Sequence, residues 1–320
     1  MSRVVVTGWV PQPALDTLRA AGHAVDVWEG GGTIPRDTLL DRVCGAAGLV
    51  TLVTERVDAE LLDAAGDGLR VVANVAVGYD NVDVDACRRR GVVATNTPGV
   101  LTGATADLAM ALILMTTRRL GEAERLVRSG REWQWGMGMM LGSGLQDRTL
   151  GVVGLGGIGA ATARRARAFG MSVVYTGRRD APPEVTEELG ATRLPLPELL
   201  EASHVVSLHV PHTPQTHHLV GAEQLRLLGP SSYLVNTARG PVVDEAALVT
   251  ALERGEVAGA GLDVYEHEPA VHPGLMERDD VVLLPHVGSA TVETRTAMAG
   301  LAADNVLAVL AGREAPTPVA

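Results

Sequence analysis

A chain of 320 residues, 46% hydrophobic and 20% charged, is long enough to bury two globular cores. A net charge of −11 argues against binding the phosphate backbone of a nucleic acid, and two cysteines exclude a disulfide framework. Aromatic content is only 3%, so the core must come from Val, Leu, Ala and Ile, and the many Val runs favour buried parallel strands.

Residues 4–7 read as a strand, so the chain opens on a structural element without a signal peptide. No apolar run is long enough to span a bilayer, which points to a cytoplasmic protein. Residues 13–21 have helical spacing and stop at Gly22, a C-cap. Strands are expected over 25–28, 48–51 and 69–74, and a helix over 39–43. The turn Val77-Gly78-Tyr79-Asp80 follows. Cys44 and Cys87 lie in apolar or helical surroundings and are expected to be reduced and buried. Together these elements make a small α/β unit.

Thr97-Pro98-Gly99 breaks the pattern, and a hinge at Pro98 suits a crossing between domains. A long apolar helix is expected over 105–119. Residues 133–144 carry Trp133, Trp135, Met137, Met139 and Met140 among glycines without a period. They read as a loop, rich in the residues used at adaptable contact surfaces. From Thr149 to His286 strands alternate with helices, the strands at 150–153, 172–175, 204–208, 233–236, 259–264 and 281–284. Such alternation predicts a doubly wound parallel sheet. A last helix covers 291–310, and Ala315-Pro316-Thr317-Pro318 reads as a disordered tail.

The turn Gly154-Leu155-Gly156-Gly157-Ile158-Gly159 follows a strand and opens a helix. In that order the first glycine permits a tight turn, the second lets backbone approach a pyrophosphate, and the third lets helix pack on strand. The helix start supplies free N–H groups and a positive end. An acid about 20 residues further on would take the ribose hydroxyls of NAD. Here that place holds Thr176 and Gly177, followed by Arg178 and Arg179. Guanidinium groups suit a 2′-phosphate, which favours NADP (NADPH), with NAD the alternative because Asp180 stands next to them.

Three strand ends carry polar segments: Asn236-Thr237-Ala238-Arg239-Gly240, then Asp263 to Pro269, then Pro285-His286-Val287-Gly288. Ligands bind at strand C-termini in an open α/β sheet. There Arg239 suits a carboxylate, His286 a proton transfer, and Glu268 the support of an imidazolium. The set describes reduction of a 2-oxo acid by hydride from a dihydronicotinamide. His209-x-x-His212 and His217-His218 invite a metal reading, but the segment is broken by proline and lacks a nearby Asp, Glu or Cys, so no metal site is expected.

With these motifs in hand, and with Val77-Gly78-Tyr79-Asp80-Asn81-Val82-Asp83, the sequence resembles the D-isomer-specific 2-hydroxyacid dehydrogenase family over nearly its whole length. The resemblance implies a Rossmann nucleotide domain plus a smaller flavodoxin-like α/β substrate domain. The substrate domain would be 1–98 and 288–320, the dinucleotide-binding domain 99–287. It implies Arg239 as carboxylate binder, Glu268 as partner of the His, and His286 as acid/base. It also implies carboxylate contacts from the N–H groups at Val77 and Gly78. Cofactor contacts are implied for Thr105, the turn Gly154 to Gly159, Thr176, Arg178, Arg179, Val210, Pro211, Thr216, Thr237, Ala238, Asp263 and Gly288. Homodimers are usual in the family. Within it the chain is most similar to glyoxylate/hydroxypyruvate reductases, at 175–179 and in the loop from Glu132 to Leu145, which in some of them reaches a partner subunit. Met139 departs from the aromatic that some relatives carry. The alternatives are an NAD-linked dehydrogenase of a bulkier D-2-hydroxy acid such as 3-phosphoglycerate, and a dinucleotide-sensing interaction protein like the corepressors that resemble this family.

Overall fold

The Val-rich runs form parallel strands in two separate sheets. The computed structural model describes residues 1–319, which divide into one unit of residues 1–101 and 289–319 and another of Thr102–Gly288.

The first unit holds β1 (Arg3–Val6), β2 (Ala24–Val27), β3 (Gly48–Thr51), β4 (Val71–Asn74) and β5 (Val93–Thr95) in the order β2-β1-β3-β4-β5, all parallel. That is the flavodoxin-like order. Side chains alternate across the sheet. Val4, Val6 and Val71 pack with Ala299, Ala302 and Val306 of the final helix, Val292–Leu310, while Val5, Leu49 and Val72 pack with Leu39, Leu61 and Ala86. Both faces are therefore buried, and the strands read as unbroken apolar runs. Gly48 lets the final helix lie close, since a Cβ there would stand 3.2 Å from Val306. Helix Gln12–Ala20 stops where Gly22 turns left-handed (φ 84°) and donates to the Arg19 carbonyl.

The second unit holds β6 (Thr149–Val153), β7 (Ser172–Thr176), β8 (Thr192–Arg193), β9 (Val205–Leu208), β10 (Tyr233–Asn236), β11 (Gly259–Leu262) and β12 (Val281–Leu283). The order β12-β11-β10-β9-β6-β7-β8 is parallel throughout, a Rossmann arrangement in which the strand direction of growth reverses at β6. Leu150 and Val152 face Met110, Ile113 and Ala163 on one side; Val153, Val206 and Leu234 face Leu199, Leu225 and Leu248 on the other.

Several details depart from the sequence reading. The tail is ordered: Val319 N–H donates to the Ala94 carbonyl, and Thr95 and Pro318 form an antiparallel bridge beside β5. Cys44 is exposed, because it caps helix Arg36–Val43 at the surface; Cys87 is buried, and burial pushes its thiol up to about 11. The strand expected over 259–264 ends at Leu262, where Asp263 turns to bind the backbone of the next strand's loop. Helices Ala59–Ala65, Val84–Arg89 and Leu120–Arg128 and strands β5 and β8 are additions. Among the described residues no helix is long and apolar enough to cross a membrane.

Candidate active site

The glycine turn shows three different roles for its glycines. Gly154 is left-handed (φ 98°), its N–H donates to the Thr176 carbonyl at 2.9 Å, and a Cβ there would stand 2.9 Å from the His209 carbonyl. The turn is thus wedged between the ends of β7 and β9. A Cβ on Gly159 would meet the Gly154 oxygen at 2.2 Å, so only glycine lets helix Gly157–Ala168 start this close to its strand. Gly156 is the opposite case, with open space around a Cβ position. Backbone is bare there, and Gly157 and Ile158 form the helix start behind it. This cradle fits a pyrophosphate.

Thr176 ends β7, and the exposed Arg178 and Arg179 follow. Asp180 is held by Arg193 at 2.7 Å, and the same Arg193 donates to the Gly177 carbonyl at 2.6 Å. Beyond β9, Val210 packs against the glycine turn. Thr216 Oγ1 donates to the Pro211 carbonyl at 2.7 Å and accepts from Thr213 N–H at 2.8 Å, bracing this loop. His209 bonds Ser207, His217 stacks on His218, and His218 bonds Glu266 at 2.6 Å. Among the described residues no group of His, Cys, Asp and Glu is arranged to hold a metal.

The neighbouring strands β10, β11 and β12 deliver the polar residues. Asn236, at the end of β10, accepts from Ala238 N–H at 3.0 Å and donates to the Arg239 carbonyl at 2.9 Å. It holds the loop open so that half-buried Arg239 leaves it in an extended conformation, donating to the Ala238 carbonyl. Thr237 Oγ1 is buried and has no hydrogen-bond partner among the described residues. Gly240 packs directly on the backbone of Tyr265 and Glu266.

Beyond β11, Tyr265 N–H donates to Glu268 Oε1 at 3.0 Å, and Glu268 Oε2 meets His286 Nδ1 at 2.7 Å. With Nδ1 turned to the carboxylate, Nε2 is the ring nitrogen left for another partner. His286 adopts a left-handed backbone (φ 53°), uncommon for a residue with a side chain. Asp263, only 1% exposed, over-determines that conformation. Its carbonyl accepts from His286 N–H, and its carboxylate accepts from Val287 and Gly288 N–H, all at 2.8 Å. Thr105, on helix Thr102–Thr117, lies beside Gly288.

Burial pushes the Asp263 carboxyl above its ordinary range, against the pull of the two N–H groups and His286. Burial also pushes Glu268 up, but the His286 hydrogen bond and charge, the Tyr265 N–H and the Arg239 charge outweigh it and hold Glu268 below the usual carboxylate range. A depressed folded-state pKa contributes stability that is present above the unfolded value and is lost as pH falls through the folded value. Melting temperatures of the parent and Glu268→Gln are therefore expected to differ at neutral pH and to converge below about pH 4. A gap that widens toward acid would contradict this.

In the other unit, Val77 and Gly78 follow β4 and are half-buried. Asn236 and Tyr265 lie within the strand-end segments picked out by sequence, but the sequence assigns neither a role in holding the loops after β10 and β11. Asn236 carries a visible signal, an Asn at a strand end followed by a turn. Tyr265, which holds Glu268 through its amide, carries none, since any residue supplies an N–H.

Comparison with known proteins matches the same segments. Residues 110–288 match the family model of the D-isomer specific 2-hydroxyacid dehydrogenase NAD binding domain. A glyoxylate reductase of Thermococcus onnurineus is 49% identical over 322 residues, covering 99% of this chain and 95% of its own length. A solved protein of Thermus thermophilus aligns with a TM-score of 0.93 at 48% identity, covering 99% of this chain and all of its own. An NADPH-dependent glyoxylate/hydroxypyruvate reductase of Sinorhizobium meliloti, solved with NADP and malonate, aligns at 0.85 and 40% identity, covering 100% of this chain and 97% of its own. The chain belongs to the D-isomer specific 2-hydroxyacid dehydrogenase family and is an oxidoreductase with a nicotinamide-dinucleotide-binding domain.

Proposed function

We propose that the protein reduces glyoxylate and hydroxypyruvate to their 2-hydroxy acids, with NADPH preferred over NADH. The observation that carries this reading is the Glu268–His286 pair at 2.7 Å, with the Arg239 charge acting on the same carboxylate. A bound dihydronicotinamide supplies the hydride. Arg239 clamps the substrate carboxylate with its guanidinium. His286 gives the proton on Nε2 to the C2 oxygen, and Glu268 stabilises the imidazolium and fixes the ring. Val77 and Gly78 offer N–H groups to the carboxylate. Thr105, the glycine turn, Val210, Pro211, Thr216, Thr237, Ala238, Asp263 and Gly288 serve the cofactor.

The NADPH preference is supported by two exposed arginines after β7 and by the pairing of Asp180 with Arg193, which occupies the carboxylate that NAD would use. The double variant Arg178→Ala/Arg179→Ala is expected to raise the KM for NADPH about tenfold or more while changing that for NADH by less than about twofold. A parent enzyme that uses NADH as well as NADPH at low concentration would sink the preference. We assign a homodimer to the working form. Helix Leu120–Arg128 has no buried residue, and Trp133, Trp135 and Met137 beyond it are 52%, 77% and 83% exposed, side chains suited to an apolar contact with a second copy.

A further inference from the structure

Beyond β4 the backbone is tied by its carbonyls. The Ala76 carbonyl accepts from Thr97 N–H and the Val77 carbonyl from Asn96 Nδ2, both at 2.7 Å. The buried Asn74 donates through Nδ2 to the next carbonyl, that of Gly78, at 3.1 Å. A trans peptide is planar, and its N–H points opposite to its C=O. With their carbonyls held toward residues 96 and 97, the peptides preceding Val77 and Gly78 send both N–H groups the other way. Among the described residues neither N–H has a partner, and both residues are partly exposed. Asn96 is itself braced. Its N–H donates to the Thr317 carbonyl at 3.3 Å, Thr317 Oγ1 donates to its carbonyl at 2.6 Å, and Asn305 holds Thr317 through two further bonds.

We propose that Asn96 is a positioning residue for the 2-oxo acid, holding the Val77 carbonyl so that the Gly78 N–H, beside that of Val77, is aimed at the substrate carboxylate before it arrives. The inference rests on the reading above that these two amides take the carboxylate. Donors aimed in advance cost no reorganisation when the anion binds, whereas an untethered peptide turns its N–H toward water. The amide side chain is the chemically required group. Alanine leaves the Val77 peptide free, and aspartate sets an oxygen against the carbonyl oxygen and turns the peptide away.

The test uses the full chain with NADPH and the variants Asn96→Ala and Asn96→Asp. The readouts are kcat and KM for glyoxylate, the inhibition constant of oxamate, an unreduced analogue with the same carboxylate, and the NADPH dissociation constant. The KM for glyoxylate and the oxamate constant are expected to rise together by about tenfold in Asn96→Ala and by more in Asn96→Asp. Turnover stays within about threefold and NADPH affinity within about twofold. A merely structural role lowers the active fraction, and with it kcat, without moving KM. Thr317→Val loosens Asn96 from behind and is expected to shift the same two constants in the same direction by a smaller factor. That variant carries the test if the Asn96 proteins do not fold, and parental constants in it then overturn the proposal. Unchanged oxamate inhibition in Asn96→Asp, or a loss spread over kcat and NADPH alike, overturns it as well. Arg239→Ala is run alongside. If it loses turnover while the Asn96 variants bind oxamate normally, the functional reading stands and this inference falls; if it reduces glyoxylate like the parent, both fall.

Discussion

His286→Gln is expected to lower kcat for 2-oxo acid reduction by about 10²- to 10⁴-fold, the range for loss of a general acid, with NADPH binding unchanged. Glutamine keeps a polar side chain of similar reach, but its amide N–H is far too weak an acid to give a proton. The surroundings confine the effect to that proton. His286 is half-buried, its backbone is fixed by the Asp263 carbonyl, and Val287 and Gly288 are fixed by the Asp263 carboxylate through main-chain atoms that the substitution leaves in place. Glu268 keeps its bond from Tyr265 N–H but loses the imidazole at 2.7 Å. Steady-state rates beside a fluorescence titration of NADPH separate the two quantities. Turnover within about tenfold of the parent would remove His286 from its assigned role.

Gly240→Ala has the largest structural consequence expected of a single methyl in this chain. The added Cβ would stand 1.8 Å from both the Tyr265 carbonyl carbon and its oxygen, and 2.4 Å from Glu266 N. Every one of these is a backbone atom, so no rotamer change relieves the overlap. The segments carrying Arg239 and Glu268 must separate by on the order of 1.5 Å to reach ordinary contact. Overpacking of this kind costs about 3 kcal/mol or more. Displacing a clamp or an acid by about 1 Å costs roughly 100-fold in kcat/KM. Gly156→Ala is the stability control, because its Cβ enters open space. Thermal denaturation should therefore separate the two variants clearly, with Gly240→Ala the lower. Parental stability and parental kcat/KM in Gly240→Ala would show that the two segments do not pack as described.

Much of this arrangement was legible before folding because the decisive signals are local. Gly154, Gly156 and Gly159 each answer to a backbone requirement within one turn, and a strand before and a helix after them fix their context. Arg239, Glu268 and His286 stand a few residues past apolar strands, so a parallel sheet carries all three to one edge. The hidden parts depend on distant partners. Asn96 matters through the Val77 carbonyl, 19 residues away, and nothing near it in sequence marks that bond. The proline-bearing tail has the composition of a disordered segment, yet β5 leaves an edge that Val319 pairs with. Helix Leu120–Arg128 follows the long helix after two residues with no side-chain cap to mark its start, and it buries no residue although Leu120 and Val127 lie on it. Helices Ala59–Ala65 and Val84–Arg89 are too short for a clear period, though Asp58 and Asp83 cap them and were readable as helix starts.

The most direct test of the central claim is a set of initial rates with the unmodified protein, with glyoxylate, hydroxypyruvate, pyruvate and phenylpyruvate each offered NADPH and NADH. The account predicts stoichiometric oxidation of NADPH with glyoxylate and hydroxypyruvate, yielding glycolate and glycerate, faster than with the two larger or less polar acids and faster than with NADH at low cofactor concentration. No cofactor oxidation with any of the four acids would contradict it.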